Sequence, residues 1–280
     1  MRNVPLDLIK QALAEDGAIY DITTLSTVPE HEQAAAKMIT RQPGVIFGLA
    51  VAEAVFRQLD ERVTLDPVVL DGAAVKADHV ITYVHGPARA ILSAERVALN
   101  FLGHLSGIAT VTARCVQAVE GTRTRIIDTR KTTPGLRSLE KDAVLAGGGY
   151  NHRFNLSDGV LIKDNHIKAA GGIEQAVTAA RRAVQHLLKI EVECEIPSEV
   201  QAALQAGADV ILLDNMPVEM MSRCVDLIRQ ETPHVLIEAS GNIGTNPEQL
   251  AAVAATGVDF ISLGTLTHSA PNFDVSLEFM

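Results

Sequence analysis

From about residue 124 onward, short apolar runs alternate with stretches of helical period. The runs fall at 125–128, 159–163, 189–194, 209–214, 234–239 and 258–263, and the helical stretches near 137–146, 172–187, 197–206, 217–230 and 247–256. Strands separated by helices and short loops are βα units, which build a parallel sheet. The runs (VILLD, VLIEAS, DFISLG) are continuous and not alternating, so both faces are predicted to be buried, as in a barrel or a doubly wound sheet. Upstream the pattern is different. Leu6, Ile9, Ala12 and Leu13 mark a short amphipathic helix over 5–14, strands follow at 35–41 and 44–48, split by Pro43, and 49–60 reads as a helix. Further strands are expected at 63–70 and 80–84, with a turn at Gly86-Pro87. Ser93 is placed to cap a long helix from near Ala94. That helix has an apolar stripe (Val97, Phe101, Leu105, Ile108), a polar stripe (Arg96, Asn100, His104) and a thin side at Gly103 and Gly107. The tail, 273–279, alternates cleanly, which predicts a strand with one dry and one wet face. Such a strand does not fit the buried pattern before it and is expected to return to the N-terminal sheet. The predicted organisation is a discontinuous first domain, 1–107 with 270–280, and a second domain, 108–269.

The polar residues decide between the two sheet types. Asp128, Thr129, Arg130 and Lys131 leave the first strand of the second domain, and Lys163 the second. Glu193 and Glu195 end the third, Asp214 and Asn215 the fourth, and Glu238 and Ser240 the fifth, while Gly264 follows the sixth. Functional groups at the carboxyl end of every strand mark the active face of an α/β barrel. The loops Ser240-Gly241-Asn242-Ile-Gly244 and Leu263-Gly264-Thr265 are rich in glycine, and such loops after the last barrel strands commonly offer backbone N–H groups to a phosphate.

The 280 residues carry a net charge of −10, yet 123–168 holds nine Lys/Arg against five Asp/Glu, a local balance of +4. An acidic chain that gathers positive charge in one stretch is built to hold a small anion there. Without a basic stripe, and with 4% aromatic residues and no Trp, nucleic acid is not an expected partner. Acidic residues near the N-terminus stand where a signal sequence would need an apolar core, and no apolar run nears the ~18 residues of a membrane span, so a cytoplasmic protein is expected. Cys115, Cys194 and Cys224 are odd in number and far apart, which fits buried free thiols.

Arg130, Lys131, Arg153 and Lys163 follow predicted buried strands or the Gly147–Gly149 run, so they are expected to converge at one rim as an anion site for more than one carboxylate or phosphate. Arg137 and Lys141 are expected at a helix surface. Glu193 and Asp214 either cap loops or face that cluster, where they suit ribose hydroxyls or Mg²⁺ carried by a polyphosphate. Of His152, His166 and His268, His152 beside Arg153 is best placed for substrate contact. No HxH or HxxxH spacing supports a protein-bound transition metal.

Taken together, Glu95-Arg-Val-Ala-Leu-Asn100, Leu105-Ser-Gly-Ile-Ala-Thr110, Asp128-Thr-Arg-Lys-Thr-Thr-Pro-Gly135, Asn151-His-Arg153, Leu161-Ile-Lys-Asp-Asn-His166, Glu191-Val-Glu193, Leu213-Asp-Asn215, Glu238-Ala-Ser-Gly-Asn242 and Leu263-Gly-Thr-Leu-Thr-His268 make the chain resemble the quinolinate phosphoribosyltransferase family over nearly its whole length. It departs from the family pattern at Gly17-Ala-Ile-Tyr-Asp21 and at Tyr150. The resemblance implies an N-terminal open-faced α/β sandwich and an incomplete, six- to seven-stranded α/β barrel of the type II phosphoribosyltransferase kind. It implies transfer of phosphoribosyl from phosphoribosyl pyrophosphate to quinolinate with loss of CO2, in NAD biosynthesis, with substrate-borne Mg²⁺, no organic cofactor, and a homodimer in which Arg96 crosses the interface. On the same footing Lys131, Glu193 and Asp214 are the catalytic candidates. Thr129, Arg130, Lys131, His152, Arg153 and Lys163 match the quinolinate pocket. Glu193 and Asp214 match the metal–ribose side, and Ser240, Gly241, Asn242, Leu263, Gly264, Thr265 and His268 the phosphate loops. Rival readings are a related paralogue of molybdenum-transport operons, a Schiff-base aldolase using Lys163, and a non-catalytic nucleotide-binding regulator.

Overall fold

A computed structural model of the chain describes residues 4–280; residues 1–3, at the start of the first predicted domain, lie outside the described residues. In chain order the elements are α1 (Leu6–Glu15), α2 (Ile22–Thr27), β1 (Gln33–Thr40), β2 (Gly44–Val45), α3 (Leu49–Leu59), β3 (Thr64–Pro67), β4 (Ala74–Val75), β5 (Val80–Pro87) and α4 (Ala88–Ala118). Then come β6 (Arg125–Ile127), α5 (Arg137–Ala146), β7 (Val160–Ile162), α6 (Asp164–Ala170), α7 (Ile173–Ala183), β8 (Ile190–Cys194), α8 (Pro197–Gln205), β9 (Val210–Asp214) and α9 (Val218–Glu231). β10 (Leu236–Ser240), α10 (Pro247–Ala255), β11 (Phe260–Ser262), α11 (Thr265–His268) and β12 (Val275–Phe279) complete the chain. By contact it divides into Met1–Ala113 with Thr133–Gly148 and Ala270–Met280, and Arg114–Thr132 with Gly149–Ser269.

The first unit is built on an antiparallel sheet of order β12-β1-β5-β3. The tail strand pairs with β1 from Ala36↔Phe279 to Thr40↔Val275. It is an edge strand whose residues are mostly half-buried and do not alternate between dry and wet. Gly86 and Pro87 do not turn the chain: they pair with Ala34 and Gln33, and β5 runs straight into α4 at Ala88. Ser93 therefore sits inside the helix, where its hydroxyl donates to Asp21 Oδ2 at 3.0 Å instead of capping.

Two small polar residues interrupt the buried side of α4 for a reason. Ser106 Oγ accepts the Phe47 N–H at 3.0 Å and Thr110 Oγ1 the Val45 N–H at 2.9 Å, which serves backbone around the two-residue strand β2. The thin side of α4 receives the chain's own C-terminal segment. A Cβ on Gly107 would lie 2.1 Å from the Pro271 carbonyl oxygen, and the Gly103 carbonyl accepts the Phe273 N–H at 2.8 Å. Lys141, expected at the surface, is fully buried, and Leu139, Glu140, Ala143 and Val144 of α5 are buried with it. Its neighbour Glu140 is buried between two partners, the His104 ring (2.8 Å) and the Thr133 N–H (3.0 Å).

The second unit is a parallel sheet of order β6-β11-β10-β9-β8-β7. Among the described residues no ladder joins β6 to β7, so the barrel is incomplete; beyond β6 there is one parallel bridge, Ile127↔Tyr150. The ring of Tyr150 lies under the Arg125 guanidinium, 4.7 Å from its centroid. At the N-terminal ends of the strands, Gly207-Ala-Asp209 and Gly257-Val-Asp259 build the same clamp twice. The Asp209 carboxylate accepts the Ile190 N–H (2.8 Å) and an Arg181 N–H (2.7 Å). The Asp259 carboxylate accepts the Ile237 N–H (2.8 Å) and an Arg229 N–H (2.7 Å), and also meets Arg123. Burial works against the charge on Asp259, but its bonds to Arg229, Ile237 and Arg123 outweigh that and hold it below the usual carboxylate range.

Candidate active site

At the carboxyl ends of these strands lies a cavity of about 510 Å³. One parity of each strand lines it: Leu161 and Lys163, Glu193, Leu212 and Asp214, Glu238 and Ser240, Ser262, and Thr129 beyond β6. The register explains the grouping, since Glu193 pairs with Leu212, Leu212 with Glu238, and Asp214 with Ser240, and paired residues of parallel strands point to the same face. The predicted residues Thr129, Arg130, Lys131, His152, Arg153, Lys163, Glu193, Asp214, Ser240, Gly241 and Asn242 are all brought together here. Leu263, Gly264, Thr265 and His268 do not line the cavity. Gly264 adjoins it, with His268 next to Gly264: a Cβ on Gly264 would lie 2.9 Å from Lys131 Cδ and 3.2 Å from His268 Nε2. Arg96 is exposed on α4 in the first unit and is not among the lining residues.

The cations are held individually. Thr267 Oγ1 donates to the Lys131 carbonyl at 2.9 Å, and the Lys131 N–H donates to Thr129 Oγ1 at 3.0 Å. Arg153 donates to the Gly159 carbonyl at 2.9 Å. Burial, and next the neighbouring Arg130 guanidinium, disfavour its charge and hold it below the usual arginine range, against the opposing effect of Glu191 and Asp158. Lys163 forms an ion pair with Glu193. His166, one turn into α6, accepts the Lys163 N–H on Nδ1 at 3.0 Å and so fixes the backbone from which Lys163 extends. On the opposite side, burial and then the charge of Glu193 raise the proton affinity of Asp214.

Beneath the cations lies a group not foreseen as a site. The donor atoms of His152, Glu191 and Glu238 lie within 4.8 Å of one another, and both carboxylates are buried. His152 Nε2 is 3.2 Å from Glu191 and 3.5 Å from Glu238. Nδ1 accepts the Arg153 N–H at 2.7 Å, and Asp128 accepts the His152 N–H at 2.8 Å. Both ring nitrogens are thus engaged within the protein. Burial opposes charge on the ring, while the bonds to Glu191 and Glu238 favour it. Burial and then the Glu238 charge raise Glu191 to about 7. Because Nδ1 is committed as an acceptor, the extra proton of the group belongs on the carboxylate side. A signal for Glu191 was available: it has the parity of Glu193 on β8, as Glu238 has that of Ser240 on β10.

Strand-end cations beside carboxylates, above a buried polar floor, define an α/β-barrel enzyme for a small polyanion. Sequence models of the quinolinate phosphoribosyl transferase N-terminal and C-terminal domains match residues 21–106 and 108–278. The chain is 44% identical to the probable nicotinate-nucleotide pyrophosphorylase [carboxylating] of Bacillus subtilis, over 97% of this chain and 92% of that protein. It is 39% identical to the human nicotinate-nucleotide pyrophosphorylase [carboxylating], over 97% and 90%. The nicotinate-nucleotide pyrophosphorylase structure from Francisella tularensis superposes with a TM-score of 0.92 at 40% identity, covering 99% of this chain and 98% of that one. The chain belongs to the quinolinate phosphoribosyltransferase family.

Proposed function

We propose that the protein transfers phosphoribosyl from phosphoribosyl pyrophosphate to quinolinate, with release of pyrophosphate and CO2, to give nicotinate mononucleotide. The observation that carries this reading is the set of four cations, Arg130, Lys131, Arg153 and Lys163, lining one cavity together with Glu193 and Asp214. Quinolinate is a dianion, so Arg130, Arg153, Lys131 and Lys163 bind its carboxylates and hold the ring nitrogen toward the ribose carbon. As pyrophosphate leaves, positive charge grows on the ribose, and Glu193 and Asp214 stabilise it. The loop 240–242, with the turn at 263–265 and His268, receives the phosphates. Once ribosylated, the ring nitrogen is cationic and stabilises the carbanion that forms when the adjacent carboxylate leaves as CO2, and that carbon then takes a proton to give nicotinate mononucleotide.

Burial and then the charge of Glu193 raise the proton affinity of Asp214, and a divalent cation shared by the two carboxylates would offset both. Mg²⁺ arriving with the substrate supplies charge neutralisation of the leaving pyrophosphate. Arg96, exposed and absent from the lining of its own chain's cavity, serves the site of a second subunit in a homodimer. No helix among the described residues is long and apolar enough to cross a membrane. The test is formation of nicotinate mononucleotide and CO2 from quinolinate and phosphoribosyl pyrophosphate. Absence of both products from folded protein with Mg²⁺ would overturn the proposal.

A further inference from the structure

We infer that Asn215 is a positioning residue that sets the spacing between Asp214 and the loop Ser240–Asn242, and so governs binding of phosphoribosyl pyrophosphate rather than of quinolinate. The inference rests on the function proposed above and deepens it.

Only three non-glycine residues among those described have positive φ, and two of them are Asn215 (φ 54°) and Asn242 (φ 49°), at the exits of adjacent strands β9 and β10. Left-handed backbone costs energy in a residue with a Cβ, and asparagine tolerates it better than most. The two side chains meet. Asn215 Nδ2 donates to Asp214 Oδ2 at 2.6 Å, and Asn215 Oδ1 accepts from Asn242 Nδ2 at 2.9 Å. An ionised carboxylate only accepts, so the amide orientation of Asn215 is determined by its partner. The Asn215 N–H adds a bond to the Ser240 carbonyl at 3.0 Å. Gly241, between these groups, has φ 83°, and a Cβ there would stand 2.3 Å from Asn215 Oδ1. Asn215 thus occupies the space that a side chain at 241 would need.

The bracket is not required to hold the sheet, because β9 and β10 are already paired from Val210↔Leu236 to Asp214↔Ser240. Both asparagines are exposed and line the cavity. What the bracket does is tie a carboxylate to a loop one strand away. A substrate that carries ribose hydroxyls and a phosphate on one rigid ring meets both, and it needs them at a constant separation.

The test compares wild type with Asn215→Gly and Asn215→Asp. Glycine removes both side-chain bonds and relieves the left-handed backbone, so its melting temperature should equal or exceed that of wild type. Its KM for phosphoribosyl pyrophosphate should rise about tenfold, with KM for quinolinate changed less than about twofold. Aspartate keeps an acceptor for Asn242 but sets a second carboxylate against Asp214, so its loss should be at least as large. Calorimetric titration with phosphoribosyl pyrophosphate and Mg²⁺ should show the same weakening without turnover. A glycine variant that binds this substrate as wild type does overturns the inference. Equal increases in both KM values also overturn it, since they mark general loosening. If wild type binds phosphoribosyl pyrophosphate but does not turn over quinolinate, the functional proposal fails while the calorimetric comparison still decides the role of Asn215. Wild type that binds none overturns both.

Discussion

Replacing quinolinate by nicotinate removes one carboxylate while leaving four cations in the cavity. Arg153 carries the consequence. It is half-buried, and burial and the adjacent Arg130 already disfavour its charge. Leaving a buried charge without its partner costs about 3–5 kcal/mol. The solvent reaching Arg153 reduces this to roughly 2–3 kcal/mol. That corresponds to a preference for quinolinate of about 30- to 150-fold in kcat/KM. The assay is the initial rate of nicotinate mononucleotide formation from each acid at one concentration of phosphoribosyl pyrophosphate. Arg153→Ala should damage quinolinate turnover more than nicotinate turnover and collapse the preference toward unity. A wild-type ratio below about fivefold, or a ratio unmoved by Arg153→Ala, would refute the pairing argument.

If the metal arrives with the pyrophosphate as proposed, chelation by EDTA should abolish turnover without changing the melting temperature of the substrate-free protein; a metal-dependent melting temperature without substrate would contradict it. Mixing Arg96→Ala subunits with Lys131→Ala subunits, each inactive alone, should restore roughly a quarter of wild-type activity, since half the dimers are mixed and each has one complete site; demonstrated subunit exchange with no recovery would exclude action in trans. Asp259→Ala should lose roughly 2–4 kcal/mol in urea denaturation, for it strands the Ile237 N–H and unpairs Arg229, and Asp259→Asn should lose less, because its oxygen can still accept from Ile237. The folded-state pKa of Asp259 is depressed, so its contribution is present above the unfolded carboxylate value and disappears as pH falls; the gap between wild type and Asp259→Ala should close below about pH 4.

The parallel sheet was legible because strands buried on both faces leave continuous apolar runs, and the rim was legible because those runs end in charged residues. The fate of Gly103 and Gly107 was not, since thin helix faces look alike whether they receive a partner or the same chain's tail, and only Pro271 and Phe273 in place distinguish the two. Ser93 misled for a related reason: a strand that passes into a helix without a turn needs no cap, and the hydroxyl was used by Asp21, distant in sequence. The floor of the site was half legible. Glu191 and Glu238 stand inside apolar runs, where a single carboxylate reads as noise, and only parity across neighbouring strands shows that they converge on His152.

The twin clamps at the strand starts carry an implication for the order of assembly. Asp209 grips Ile190 and Asp259 grips Ile237, partners 19 and 22 residues away, so β8 with β9, and β10 with β11, are each secured by a short-range tie. The strand β6 is tied at short range only to Tyr150 and His152, which lie outside the sheet ladder, and not to a neighbouring strand. Its neighbour β11 lies far along the chain, and the Arg123–Asp259 contact spans 136 residues. Closing so long a loop is entropically the slowest step in laying down the sheet. The first barrel strand to be synthesised is therefore expected to dock last, with its amides at 125–127 acquiring protection from hydrogen exchange after those of β8 to β10 during refolding. Earlier protection of 125–127 would reverse that order.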